Sequence, residues 1–251
     1  MRKVGRLAFS LWGGWWLLLT TVSISSLIVL LGLLGVGQER LHILARAWAR
    51  MLLWGLRLKT TVTGYEHLQA GATYVFACNH SSMIDIIVLL AKLPRNFRWM
   101  AKQNLFKIPF MGWGMRMCGY IPVDRQNRRA AVKSIGLASQ RIAEGASVAI
   151  FPEGTRTPEG QLRPFQSGGF VLAIKSGRPV VPVAIQGAGS ALPRGSLDFR
   201  PGPISLTIGQ PIPTEGLTLN SRHELARRTE DQVRRLLGLP PGEVDKHPPA
   251  T

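Results

Sequence analysis

The chain divides by the period of its apolar positions. Residues 7–38 carry no charge, and as one helix they would measure about 48 Å against a bilayer core of ~30 Å. The run Thr20-Thr21-Val22-Ser23-Ile24-Ser25-Ser26 interrupts this stretch midway, so it reads either as one tilted span or as a shorter hairpin entering one leaflet. Residues 41–57 follow with a helical period, and His42, Arg46, Arg50 and Arg57 fall on one stripe. That stripe fits a helix lying in a headgroup layer with its basic groups at phosphates, with a core helix carrying a solvated edge as the alternative. Beyond Lys59, short apolar runs alternate with helical stretches. Strands are predicted at 60–63, 74–78, 97–101, 120–123, 148–151, 180–185 and 204–208, and helices at 84–93, 105–117, 128–143, 170–175 and 222–237. Gly145 closes the third of these helices as a C-cap. Pro182, inside a strand pattern, points to an edge or a bulge.

This alternation places the chain in the α/β class, with a mostly parallel or mixed sheet of about seven strands covered by helices. The expected organisation is an N-terminal membrane-docking helical segment over 1–58, an α/β domain over 59–238 and a proline-rich, disordered tail over 239–251.

Charge narrows the setting. Lys and Arg number 31 and Asp and Glu 14, a net charge of +17, which favours anionic partners: phospholipid headgroups, nucleic acid or an acidic carrier protein. Arg2, Lys3 and Arg6 precede the apolar stretch, and Arg40, Arg46 and Arg50 follow it. The positive-inside rule then puts both ends on the cytoplasmic side, which favours the hairpin and the cytoplasmic face of the cell membrane. A secretory signal is disfavoured by the length of the apolar run and the lack of a small-residue cleavage site. Cys78 and Cys118 form no CxxC or Cys/His cluster, so neither a zinc site nor a disulfide framework is expected.

The candidate chemistry sits at strand ends. Asn79-His80-Ser81-Ser82-Met83-Ile84-Asp85 lies between a predicted strand and a predicted helix. On one continuous helix His80 and Asp85 would point about 140° apart. A strand, a tight turn and a helix can fold them together, so that the carboxylate fixes one imidazole nitrogen and leaves the other free to take a proton. Ser82-Met83-Ile84-Asp85 also fits a capping box, with Asp85 holding only the helix start. Gly119-Tyr120-Ile121-Pro122-Val123-Asp124-Arg125 ends at the expected sheet edge, where Arg125 can meet an anion. Phe151-Pro152-Glu153-Gly154-Thr155-Arg156 follows another strand. Its Glu-Gly turn exposes backbone N–H groups, Thr155 and Arg156 suit phosphate, and Glu153 would orient Arg156 or a substrate hydroxyl. Lys102, after a further strand, is a candidate donor for an oxyanion, with a backbone N–H as the alternative. The block Arg178-Pro179-Val180-Val181-Pro182-Val183-Ala184-Ile185 reads as structural.

These four blocks, in this order, resemble the glycerolipid acyltransferase family, most closely its bacterial 1-acyl-glycerol-3-phosphate acyltransferases, over roughly residues 59–209. The resemblance implies that His80 deprotonates a lysophospholipid hydroxyl, with Asp85 orienting it. The hydroxyl then attacks an acyl-CoA or acyl carrier protein thioester, with no covalent acyl-enzyme, no cofactor and no metal. It also implies that Arg125, Glu153, Gly154, Thr155 and Arg156 form an acceptor phosphate site. Members often carry lysines after the third block, where this chain has Pro164-Phe165-Gln166-Ser167-Gly168-Gly169, so a phosphate-free acceptor such as lyso-ornithine lipid stays open. A non-catalytic basic protein binding membranes or nucleic acid would explain the charge. It would leave the His80 and Asp85 pair without a purpose, and aromatic RNA-stacking motifs are absent.

Overall fold

In the computed structural model of the chain, residues 3–93, 96–124 and 128–241 are described. Arg125 and the tail from 242 onward lie outside them.

Seven short segments form one sheet: β1 (Leu58–Thr63), β2 (Val75–Cys78), β3 (Phe97–Lys102), β4 (Ile121–Val123), β5 (Ser147–Ile150), β6 (Val180–Gln186) and β7 (Gly202–Ile208). Their order is β1-β7-β6-β2-β5-β3-β4, parallel throughout except for the antiparallel β6/β7 pair. The central strands read as unbroken apolar runs because both faces are covered. Phe76 and Cys78 of β2 enter one core, and Val75 and Ala77 enter the other. Helices α2 (Gln38–Gly55) and α3 (Ile84–Lys92) cover the first face. Helices α5 (Arg128–Ala143), α6 (Phe170–Ser176) and α8 (Arg222–Leu236) cover the second. The short α4 (Met111–Met117) and α7 (Ala188–Ala191) sit in connections.

Pro182 lies inside the sheet, on β6, where its neighbour is irregular. Val183 is opposite Ile208 while Val180 is opposite Ile212, so the second strand carries one extra residue there. That bulge falls where the proline offers no N–H.

The sequence expectations need correction at four places. First, α1 (Lys3–Leu33) is one uninterrupted helix. The Thr20 hydroxyl donates to the Trp16 carbonyl at 2.7 Å, so a polar residue is satisfied within the helix instead of breaking it. The chain reverses only after it, at Gly35, whose φ of 85° suits a residue without Cβ. The hairpin is therefore α1 with α2, not a bend within 7–38. Second, the stripe of His42, Arg46, Arg50 and Arg57 is exposed only at Arg50 and Arg57. His42 is buried against Phe97 and Tyr120 and Arg46 is half-buried, because α2 is a middle layer between α1 and α3. Third, the helix expected over 105–117 is split. A 3-10 turn, Gln103–Lys107, precedes α4, since Pro109 lacks an N–H and Phe110 has φ 59°. Fourth, Leu239 is part of the fold. Its N–H donates to the Arg234 carbonyl around Gly238, and its side chain packs on the second core.

Contacts with the rest of the chain hold α1 along its length. Arg6 pairs with Asp198 at 2.6 Å, Trp12 and Trp16 donate to the Gly55 and Met51 carbonyls, Gly13 lies on Phe199 and Gly32 on Met117. From Arg6 to Gly32 that is about 39 Å of helix. A helix fastened at both ends to one folded face lies along that face. Its outer side exposes Val4, Leu7, Leu11 and Trp15 in the first half and Leu27, Leu30 and Leu33 in the second.

Candidate active site

Parallel strands bring their carboxyl ends to one edge, where ligands of open α/β sheets bind. The β2 end leads directly to His80, the β5 end to Phe151 and its block, and the β3 end is Lys102. The β2/β5 register, Ala77 opposite Ile150, makes the first two loops neighbours.

Asn79 fixes the departure of the first loop. Its amide donates to the Ile185 carbonyl at 2.9 Å and accepts the Ile185 N–H at 2.8 Å, continuing the β2/β6 ladder with a side chain. The chain then folds back so that His80 Nδ1 lies 2.9 Å from Asp85 Oδ2. The same carboxylate oxygen accepts the N–H groups of Ser81 and Ser82 at 2.7 and 2.8 Å. Asp85 is fully buried, whereas the His80 side chain keeps 15% exposure. The capping and orienting readings of Asp85 are thus one arrangement, because the oxygen that holds the loop also holds the ring. With Nδ1 donating to the carboxylate, Nε2 is the acceptor.

Aromatic rings support the imidazole. His80 stacks on Phe151 with centroids 4.0 Å apart, and Phe151 stacks on Trp99 at 5.2 Å. A ring that becomes cationic on taking a proton is favoured over such a face.

Glu153 has different partners from those expected. It is buried. Its Oε1 accepts the His80 N–H at 2.6 Å, while Oε2 accepts the Thr157 hydroxyl and the Arg163 N–H, the latter at 3.1 Å. The Thr157 N–H in turn donates to the His80 carbonyl at 2.7 Å. Burial pushes the Glu153 carboxyl up, and the bonds from Thr157, Arg163 and His80 oppose that. Glu153 therefore clamps the His80 loop to the third block and does not reach Arg156. Glu159, which nothing local in the sequence marks, plays a similar part by accepting the N–H groups of Gly187 and Gly189 at 2.9 and 2.6 Å.

The other candidates line the same edge. Gly154 has φ 77°, and its N–H is turned inward to the Phe151 carbonyl at 3.2 Å instead of outward. Thr155 and Arg156 are half-buried and Lys102 is exposed. The Arg156 carbonyl accepts a bond from Arg194. Among the described residues its guanidinium has no hydrogen-bonded or ionic partner. A cavity of about 120 Å³ opens beside Asn79, His80 and Ser81, bounded by Glu159, Gly160 and Gln161 and by Leu237 and Leu239. Cys78 lies one strand residue behind the site, and burial, then the Asp85 charge, push its thiol well above the ordinary range, so it is no nucleophile.

A partly exposed histidine held by a buried carboxylate, at the carboxyl edge of an α/β sheet and beside an open cavity, is the site of an enzyme. The family model described as Acyltransferase matches residues 59–186. A chloroplastic 1-acyl-sn-glycerol-3-phosphate acyltransferase of Brassica napus is 37% identical over 173 residues, which is 68% of this chain and 50% of the relative. One of Saccharomyces cerevisiae is 32% identical over 203 residues, covering 79% of this chain and 67% of the relative. The crystal structure of the 1-acyl-sn-glycerophosphate acyltransferase PlsC of Thermotoga maritima is similar with a TM-score of 0.80 at 26% identity, over 95% of this chain and 97% of that one. The chain spans about half the length of the chloroplastic relatives it matches. It belongs to the acyltransferase family.

Proposed function

We propose that the chain transfers a fatty acyl group from acyl-CoA or acyl carrier protein to the sn-2 hydroxyl of 1-acyl-glycerol-3-phosphate, giving phosphatidic acid, at the cytoplasmic face of the cell membrane. The observation that carries this reading is the 2.9 Å contact between His80 Nδ1 and an Asp85 oxygen already fixed by two backbone N–H groups. His80 Nε2 takes the proton of the acceptor hydroxyl as its oxygen attacks the thioester carbonyl. The tetrahedral intermediate collapses with loss of the thiolate, which recovers that proton from the imidazolium. Lys102 or a backbone N–H faces the oxyanion. Arg156 takes the acceptor phosphate with Thr155 and Arg125, while Glu153 and Gly154 shape the loop that presents them. No cofactor or metal enters these steps.

The apolar outer side of α1 lies in one leaflet and the positive charge of the chain meets anionic headgroups, so the lysolipid reaches the site without leaving the membrane. The test is an acyl-transfer assay offering lysophosphatidic acid and lyso-ornithine lipid in parallel, each with both thioesters. Transfer to lysophosphatidic acid that disappears in His80→Ala is expected. Acceptance of lyso-ornithine lipid alone would replace the acceptor, and full activity of His80→Ala would remove the base.

A further inference from the structure

The connection between β3 and α4 carries apolar surface that no described residue covers. Ile108, Phe110 and Trp113 are 44%, 39% and 46% exposed, and the Phe110 and Trp113 rings lie 5.3 Å apart. Phe110 has φ 59° and ψ −66°, and the Met111 N–H donates to the Pro109 carbonyl at 2.6 Å. This is a γ-turn centred on Phe110, strained for a residue with a side chain. The turn is locked from behind. A Cβ on Gly112 would meet the Phe106 carbonyl oxygen at 2.4 Å, and the N–H groups of Gly112 and Gly114 donate to the Ile108 and Phe110 carbonyls, both at 2.8 Å.

Helix α4 has two distinct sides. Met111, Gly114 and Met115 face Thr21, Ser25 and Ile28 of α1 across a small, half-open cleft. Phe110, Trp113 and Arg116, three residues apart, form the outward stripe and are all exposed. Since Gly114 lies on Ser25 and Met117 on Gly32, this stripe flanks the half of α1 where Leu27, Leu30 and Leu33 are exposed. Its rim is basic. Lys102, Lys107 and Arg116 are exposed, and no Asp or Glu occurs between residues 86 and 123.

We infer that the Phe110 turn and the outer stripe of α4 are a second bilayer-inserting element, seated in the headgroup layer of an anionic membrane. Aromatic side chains at the centre with cations around them match that layer, where rings sit at headgroup depth and Lys and Arg meet phosphates. Continuity with the apolar side of α1 selects the bilayer over a protein partner. The element also has a mechanical role. A single helix lying in a leaflet leaves the domain free to roll about the helix axis. A contact off that axis stops the roll and holds the sheet edge carrying Lys102 and His80 toward the lipid. This inference rests on the reading of α1 as membrane-seated.

The test uses the full-length chain with Phe110→Cys carrying an environment-sensitive fluorophore, since Cys78 and Cys118 are buried. Leu11→Cys, on the outer side of α1, is labelled in the same way. Vesicles of phosphatidylethanolamine and phosphatidylglycerol with brominated acyl chains are the probe. Blue shift and quenching at both positions are expected. Quenching at position 11 with position 110 left in water overturns the inference alone. Quenching at neither overturns the membrane reading of α1 and the inference with it. A lipid-independent blue shift at position 110 that grows with protein concentration assigns the patch to a second copy and also overturns it. The pair Phe110→Ala and Trp113→Ala should weaken partition into the same vesicles at least about tenfold with unaltered circular dichroism, and unchanged partition refutes it.

Discussion

Glu153→Gln keeps the volume of a buried side chain and changes only what its two terminal atoms can accept. In the structure Oε1 takes the His80 N–H at 2.6 Å, and Oε2 takes the Thr157 hydroxyl and the Arg163 N–H. An amide has one oxygen and one NH2, so in either orientation a donor faces a donor. With the oxygen turned toward Thr157 and Arg163, the amide nitrogen opposes the His80 N–H. A charge-assisted bond is lost and a buried donor is stranded, costing about 1.5–3 kcal/mol. At roughly 2–4 °C per kcal/mol for a chain of this size, the melting temperature falls by about 3–12 °C. The freed loop carries the imidazole, and a misplacement near 1 Å costs on the order of 10²-fold in rate. The expected result is a kcat about 10²-fold lower with the KM for lysophosphatidic acid within about threefold of the parent. Release of CoA thiol follows the reaction, and a thermal melt reports the stability. A tenfold rise in KM with kcat preserved would mean that Glu153 touches the acceptor. Parent-like kinetics and melting would mean that the carboxylate does not hold the loop.

Asp85→Asn leaves an acceptor for the Ser81 and Ser82 N–H groups but removes the charge that steadies an imidazolium; kcat should drop about 10²–10⁴-fold, and a drop under tenfold would contradict the orienting role. Arg156→Ala should raise the KM for a phosphate-bearing acceptor about 10- to 100-fold, the value of a charge-assisted bond, and an unchanged KM would take Arg156 out of the phosphate site. His42 is held neutral: burial, then the charges of Arg98 and Arg46, lower its pKa from 6.5 to about 3. Below pH 6.5 the unfolded chain binds a proton that the folded chain refuses, so this contribution is complete above pH 6.5. It is lost at about 1.4 kcal/mol per pH unit on acidification toward pH 3, or about 2 kcal/mol by pH 5. Urea melts at pH 5 and 7 should show a shallower pH dependence in His42→Phe, and equal slopes would refute the assignment.

The sheet could be read from the sequence because strands covered on both faces leave continuous apolar runs, such as Val75–Cys78 and Ser147–Ile150, with turn residues at each end. Asn79 to Asp85 was legible for the same reason: a strand, two serines and an apolar helix leave few ways to place a histidine. The partners of Glu153 were not. His80 is 73 positions away, and which donor a buried carboxylate meets depends on the β2/β5 register, which no local spacing encodes. The break at Pro109 had a visible signal, since a proline five residues into a helical pattern removes a backbone bond, whereas the γ-turn it permits at Phe110 had none. Arg125 lies outside the described residues, so the second block contributes only its strand.

The N-terminal pair illustrates the remaining gap. Hydropathy says that α1 avoids water, but not how much of its circumference meets lipid and how much meets protein. That division is set by Phe199, Met51, Gly55 and Met117, all distant in sequence from the α1 residues they touch. Two glycines hold the relevant information: a Cβ on Gly13 would come within 2.8 Å of Phe199, and one on Gly32 within 2.8 Å of Met117 Sδ. Small residues in an apolar helix mark the side that another chain segment approaches closely. Here they fall opposite Leu11, Trp15 and Leu30, the exposed side. The segment that receives Gly13 also bears on the site. Its start supplies the Leu192 carbonyl to the Ser82 hydroxyl at 2.7 Å, and Arg194 donates to the Arg156 carbonyl at 2.8 Å. Helix α1 and the two loops that carry His80 and Arg156 are therefore fixed to one stretch of chain, 192–200, so on the proposed seating of α1 in a leaflet its depth sets the height of those loops.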